Sequence, residues 1–474
     1  MLIVAVVAGA MGAGLAWVGF SVVADALPLG AWASAAPDWR VFAAAMAVAA
    51  IAASLVIFVP IVSLYRGDLR SVLSAARTGG IQGRGGRLES AMVVMQVALA
   101  VMVASGAAVL ARSVANMYAV QPGVQVDGVA VVDVVFDGTF DRGSRKNALD
   151  EIERALRQLP GVASVGTGQN LPLRGGGYRA DLHIDERPDI QSAATEYRMV
   201  TPGYLESLGV ALRDGRAIAD EDRSDAARVV VINKTFAERY FPAVDPIGRS
   251  IGVNVKGERF RIVGIVADAA EKGLTDSAEP VRYIALAQNP WIDDAQSIVL
   301  RTAPGAAETS LLEPVRRTIA RVAPGVAVQQ TTTMHRVLDT AVGPARQVVV
   351  LLSLLTGLAL ILGAVGVYGV MTHFVARRRR DWAIRVAIGL PGSRVITQVL
   401  AHGATLVSAG IVAGVVGATM LTRLLSSLLF DVSALDPVAF ATAGAVLFGV
   451  GVAAAFVPAL RAGMADPLKS LREQ

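Results

Sequence analysis

Six apolar stretches, at residues 2–24, 41–64, 91–111, 347–373, 395–425 and 438–460, each reach the length at which a helix spans a bilayer. The hydrocarbon core is roughly 30 Å thick and takes about 20 apolar residues to cross as a helix. Lipid offers backbone groups no partner, so such stretches must pair their own N–H and C=O groups, which a helix does. The chain is therefore read as a polytopic α-helical membrane protein of about six spans. The fifth stretch is long enough to tilt or break. Composition agrees, since 54% of the residues are hydrophobic against about 45–50% in an average soluble domain. The excess lies in the flanks, and residues 112–345 read as ordinary globular sequence.

Charge placement orients these spans. Net charge is +5, and a basic balance can signal nucleic acid, anionic lipid or topology. One short connection carries Arg66, Arg70, Arg77, Arg84 and Arg87. Another carries Arg377–Arg380, Arg385 and Arg394, and the tail carries Arg461, Lys469 and Arg472. The short loops 25–37 and 426–436 hold no Lys or Arg. By the positive-inside rule the Arg-rich connections and the C-terminus are cytoplasmic, and parity puts 112–345 outside. These charges adjoin helix ends with no interleaved aromatics beyond Trp382, so topology accounts for them and nucleic-acid binding is set aside. Ala24-Asp25-Ala26 looks like a signal-peptide cleavage site, but the first stretch lacks a basic start.

It also has a counterpart. A single offset superposes Asp38 on Asp436, Phe42 on Phe440, Phe58-Val59-Pro60 on Phe456-Val457-Pro458, Asp68 on Asp466 and Leu73 on Leu471 without a gap. Gly12 and Gly19 meet Gly410 and Gly417 at the same offset. Residues 1–64 then form the last two helices of an incomplete first repeat, and 65–90 an Arg/Gly-rich cytoplasmic linker. Residues 91–111 are a helix, 112–345 the outside domain, and 346–474 a three-helix membrane part with a cytoplasmic loop at 374–394. The chain is expected to be the C-terminal part of a longer duplicated protein, or a truncated form of one. Thr78-Gly79-Gly80 and Gly83-Arg84-Gly85-Gly86 lack the Lys-Ser or Lys-Thr of a phosphate loop and read as flexible linker.

In the outside domain, strand patterns occur at Val129–Phe136, Arg228–Ile232, Phe260–Val266 and Ser297–Arg301, and helical ones at Lys146–Gln158, Lys234–Tyr240 and Ala307–Val322. That mixture predicts an α+β domain of one or two lobes. The cluster Asp220-Glu221-Asp222 reads as a solvated turn. There is no cysteine, and His183, His335, His373 and His402 lie far apart without ligand spacing, so no metal or cofactor site is read. No catalytic constellation can be placed.

Four clusters carry a family resemblance. The first is Thr201-Pro202-Gly203-Tyr204, Val230-Val231-Ile232-Asn233, Phe236-Ala237, Tyr240-Phe241-Pro242 and Asp245-Pro246-Ile247-Gly248, continued by Arg261–Val266. The second is Arg377–Arg380, Asp381, Ile384, Arg385, Ala387, Ile388 and Gly389, and the last two are Phe456-Val457-Pro458-Ala459 and Asp466-Pro467-Leu468. In this order they resemble the MacB/FtsX-like permease superfamily of ABC-type systems over nearly all of 88–474. Asp381 stands where Glu is usual, and Trp382-Ala383 replaces an Ile-Gly pair, setting a bulky ring on a docking surface.

The resemblance implies a non-catalytic inner-membrane subunit that moves its outside domain when a separate cytoplasmic ATPase closes, rather than passing cargo between its helices. No G-x-x-x-x-G-K-[ST] occurs in the sequence, so these residues hold no P-loop. The ATPase is expected to couple through Arg380, Asp381, Ile384, Arg385 and Gly389; a bland alternative has these charges only anchor a helix end. Cargo is expected to be an antibiotic, peptide or lipid-linked molecule, with a periplasmic adaptor or outer-membrane channel as further partners. An FtsX-like regulator of a cell-wall hydrolase, or a sensor, is the competing function, and an inactive fragment a third. Relatives work as two permease units, so a second unit is expected. Gly363, Gly366 and Gly369 at i, i+3, i+6, and Gly410, Gly414 and Gly417, read as helix-packing faces within one chain or between units.

Overall fold

The computed structural model describes residues 85–184, 193–252, 258–289, 292–424, 432–433 and 435–464. The stretches 2–24 and 41–64, the linker up to residue 84 and the first repeat copy lie outside the described residues. The elements begin with α1 (Gly85–Ala119), β1 (Val129–Phe136), α2 (Arg142–Arg157), β2 (Val162–Gly168), β3 (Tyr178–Ile184), β4 (Ala193–Val200) and α3 (Tyr204–Leu208). They continue with β5 (Leu212–Gly215), β6 (Val229–Asn233), α4 (Lys234–Tyr240), β7 (Ser250–Gly252), β8 (Arg259–Val266), β9 (Val281–Ala285) and β10 (Ala295–Thr302). The last are α5 (Glu308–Val322), β11 (Val326–Thr333), α6 (Met334–Arg377), α7 (Arg379–Ala387), α8 (Gly392–Leu424) and α9 (Pro437–Gly463). Among the described residues α1, α6, α8 and α9 are long and apolar enough to cross a membrane. Each starts before the stretch read from sequence, and α1, α6 and α9 also end beyond it, because helix pairing does not stop where lipid does; α8 runs unbroken from Gly392 to Leu424. The chain divides into two compact units, one of membrane helices and one containing all the strands.

The strand unit grows from β1, whose alternation serves two cores. Val129 and Val131 join Tyr204, Leu208 and Val299 in one cluster. Ala130, Val132, Val134 and Phe136 pack on Leu149, Ile152 and Leu156 of α2 and on Leu311, Val315 and Ile319 of α5. Asp141 starts α2 four residues before the sequence reading did, its carboxylate accepting from the Ser144 N–H at 2.8 Å, as N-caps do. The strand order β11-β1-β10-β2 is antiparallel throughout. With α2 after β1 and α5 after β10, this is a split β-α-β lobe.

A second lobe, β3 to β9, is inserted between β2 and β10. Its strands pair in the circuit β4-β3-β7-β8-β6-β9, which closes because β9 also lies parallel to β4, from Glu196↔Val281 to Val200↔Ala285. Closure removes exposed edges, and the ring encloses Leu182, Ile232, Ile251, Phe260, Ile262 and Ile284. The ladder between lobes is one pair, Gly168↔Val200. The Thr201–Tyr204 motif builds this seam. Gly203 turns at φ +88° with the space for a Cβ already taken by the Val165 carbonyl, and Tyr204 lies against Gly166 and Gly168.

Charges are buried here only in company. Arg198 of β4, 1% exposed, donates to Glu196 at 2.9 Å, Glu271 at 3.2 Å and the Gly176 carbonyl at 2.8 Å. Burial pushes the Glu271 carboxyl up, and Arg198 and the Tyr283 hydroxyl at 2.6 Å pull it back. Asp222 departs from the solvated turn expected of it. It is 5% exposed, paired with Arg216 at 2.7 Å and accepts from the Ala219 N–H at 2.9 Å, while Asp220 and Glu221 are exposed.

Candidate coupling site

Between α6 and α8 the chain makes one short helix, α7, and the expected coupling residues sit on or beside it. Its end is a glycine cap. Gly389, at φ +102°, donates to the Val386 carbonyl at 3.0 Å, and Leu390 donates to the Arg385 carbonyl at 3.0 Å. These two bonds form a Schellman motif, whose left-handed residue favours glycine. Pro391 then prevents the helix from continuing into α8.

One face of α7 is inward. Trp382 is 4% exposed and joins Val386, Leu390 and Val395 in the membrane-helix core. This corrects its expected place on a docking surface, since at i and i+4 Trp382 and Val386 share the buried side. The other face is outward: Asp381 and Arg385 are exposed, and Ile384 and Ile388 are 42% and 81% exposed. Asp381, Ile384, Arg385 and Ile388 therefore form one stripe in which two large apolar side chains alternate with two opposite charges. The Arg385 guanidinium lies 5.4 Å from the Trp382 ring, which fixes where it can reach. Arg380 is the second residue of α7.

The glycines of α8 have a clear setting. A Cβ built on Gly410 would stand 2.6 Å from Val97 Cβ, one on Gly414 2.6 Å from Val101 Cβ, and one on Gly417 2.7 Å from Met102 Sδ. So α8 lies directly against α1. On α6, Gly366 faces Gln96 of α1, whereas nothing stands within 4 Å of Gly363 or Gly369.

Other pairs in the membrane unit escaped the sequence reading. Glu89 of α1 meets Arg377 at 3.2 Å and His373 at 3.7 Å, tying α1 to the Arg-rich end of α6. Within the strand unit, Arg112 reaches Asp436 at 2.6 Å, and Asp436 caps α9 by accepting from the Val438 N–H at 2.9 Å. The Asp436-Pro437 sequence is a signal for that cap; the arginine gives none. Of the histidines, His335 faces Asp339 at 3.4 Å, His402 stacks on Phe374 at 4.3 Å, and the buried Nδ1 of His183 has no partner. Among the described residues no three His, Cys, Asp or Glu gather to hold a metal.

Residues 90–333 match the family model of the MacB-like periplasmic core domain, and 353–467 that of the FtsX-like permease C-terminal region. The macrolide export ATP-binding/permease protein MacB of Azoarcus sp. (strain BH72) is 24% identical over 417 residues, 86% of this chain and 60% of the relative. The pyoverdine export ATP-binding/permease protein PvdT of Pseudomonas savastanoi pv. phaseolicola is 26% identical, covering 69% of this chain and 48% of the relative. An uncharacterized ABC transporter permease of Bacillus subtilis, YvrN, is 22% identical, with 58% and 69% covered. The chain spans about half the length of the first curated relatives it matches. The crystal structure of the periplasmic region of MacB from Actinobacillus actinomycetemcomitans matches 46% of this chain and 94% of its own at 15% identity, with a TM-score of 0.33.

Proposed function

This chain belongs to the MacB/FtsX-like permease family of ABC transporters, and from that membership we propose that it couples ATP hydrolysis elsewhere to movement of its extracytoplasmic domain. It is a membrane protein with an extracytoplasmic domain of mixed sheet. No P-loop occurs in its sequence, so the nucleotide would be bound by an ATPase outside these residues, docked on the cytoplasmic side. The chain is read as non-catalytic, binding no cofactor of its own.

The observation that carries the proposal is the continuity of α6. Its first turns lie in the core of the strand unit, where Met334, Val337 and Val342 are buried. The same helix ends at Arg377, next to α7 and its exposed stripe. Its 44 residues rise about 66 Å, more than twice the hydrocarbon thickness. A shift applied at Asp381, Ile384 and Arg385 has one continuous helix to follow, with a ladder bond missing at Pro344. Export is favoured over regulation of a hydrolase because two of the three relatives named above, MacB and PvdT, are export proteins; the cargo proposed is an antibiotic, peptide or lipid-linked molecule. A second permease unit and an adaptor or outer-membrane channel are proposed partners.

The test is charge reversal on the outward face of α7. Asp381→Arg combined with Arg385→Glu should cut co-purification with the ATPase, and ATP hydrolysis in the complex, at least tenfold, while the thermal midpoint of the chain holds. Unchanged association and hydrolysis would falsify the assignment and leave these charges as helix-end anchors.

A further inference from the structure

Where the two lobes meet, residues distant in sequence close round an open cleft of about 630 Å³, within the range of small-molecule sites. Arg145 of α2, Gln169 after β2, Tyr178 of β3, and Asp293 and Asp294 before β10 line it. The two acids differ. Asp294 is paired with Arg145 at 2.5 Å. Asp293 accepts from the Gln169 side-chain amide, and its carboxylate beside the Tyr178 hydroxyl pushes that hydroxyl up to about 12. No cation among the described residues pairs with Asp293.

Gln169 supplies the second, independent sign. It is 7% exposed, and its Oε1 is buried without a hydrogen-bond partner. The amide cannot turn to relieve this, because its nitrogen is engaged by Asp293 and turning would set oxygen against carboxylate. A buried carbonyl oxygen with no donor is costly. Beside it the Tyr178 ring is 45% exposed and lines the same cleft, backed by the Tyr197 ring at 5.8 Å.

We propose that this cleft binds a protonated organic amine carrying at least two N–H groups, one donating to Asp293 and one to the Gln169 oxygen, with its apolar body against Tyr178. The ammonium neutralises the lone carboxylate, satisfies the stranded acceptor and sits beside an aromatic face, while the buried, unpartnered Nε of Arg145 is a donor that the amine leaves unmet. A quaternary ammonium meets only the charge and ring requirements. Binding here does not depend on the chain being an export subunit, and it is read without any ATPase.

The probe is dansylcadaverine, a primary alkylamine with an apolar aromatic body, titrated by fluorescence into the full chain in detergent at neutral pH. Saturable binding is expected, at least about tenfold weaker for the N-acetylated and N,N,N-trimethyl counterparts and for Asp293→Asn, the scale of one charge-assisted hydrogen bond. Gln169→Leu should weaken it about threefold or more, the lower end of a single neutral hydrogen bond. Equal affinity for the acetylated or trimethyl compound overturns the proposal. So does an Asp293→Asn chain of unchanged thermal midpoint and unchanged affinity, or displacement of the amine by stoichiometric calcium, which makes the cleft a metal site. The comparison of the three compounds uses only the natural chain and stands whether or not the variants fold.

Discussion

Glu153 sits on α2 with 6% of its surface exposed, and its carboxylate accepts from the Thr167 hydroxyl at 2.5 Å and from Thr201 at 2.6 Å. Thr201 opens the seam motif, so one carboxylate ties the split lobe to the strand leaving the ring. Burial pushes the Glu153 carboxyl up, and the two hydroxyls and Arg157 only partly oppose it. The sign follows by linkage: a carboxyl with a raised folded pKa holds its proton more readily in the folded state than in the unfolded one. The stability it lends is full below the unfolded value, about 4.3, and is lost as pH rises through the folded value. Glu153→Gln keeps an acceptor for both threonines and cannot ionise. Its thermal midpoint should change less between pH 5 and pH 8 than that of the natural chain, and should match or exceed it at pH 8. Glu153→Ala strands both hydroxyls and should lose about 1–3 kcal/mol at every pH. Parallel pH profiles for the natural chain and Glu153→Gln would show that this carboxyl does not govern the dependence.

Helix α8 meets α1 through glycines, and in lipid that closeness supplies the packing that water would otherwise drive. Gly414→Val puts methyl groups where Val101 Cβ stands 2.6 Å and the Ala98 carbonyl 2.7 Å from a single added carbon. It should cost about 1–3 kcal/mol as overpacking, read as a lowered thermal midpoint in detergent. Gly369→Val, with nothing of the same chain within 4 Å, should leave the midpoint of the monomeric chain unchanged; equal losses there would mean the cost is helix propensity and not contact. Spacing alone showed glycine faces on both helices, but which one meets a neighbour depends on tertiary placement. Strands divide the same way. Val129–Phe136 was legible because its apolar run serves two cores. β4 was not, because Thr195, Glu196 and Arg198 look like surface and are buried only through partners such as Glu271, remote in sequence. Nor could the split lobe be read, because the ring is inserted between its halves. Trp382 and Asp222 failed alike, each placed by its neighbours in space. The amine cleft is the extreme case, its Gln169, Tyr178 and Asp293 belonging to three separate segments.

The second permease unit proposed above raises the question of where another copy would meet this chain. Helix α6 is the candidate, since only 6% of its most apolar window is buried within the chain, and Gly363 and Gly369 are left bare on it. Exposed leucine fits lipid equally well; glycine does not, because it adds helix-destabilising freedom without offering lipid any apolar surface. A bare small residue is useful when another helix comes close. The absence of cysteine makes the question directly testable, because any introduced thiol is the only one present. Gly369→Cys chains in a membrane should form a disulfide-linked dimer on mild oxidation, at a yield that holds when the chain is diluted into excess lipid. Gly414→Cys, turned toward α1, should stay monomeric under the same oxidant. If the Gly369→Cys yield falls in proportion to dilution, α6 faces lipid and the pair, if formed, meets elsewhere. If Gly414→Cys cross-links instead, the face of α8 serves the partner and its packing on α1 must open when the copies associate.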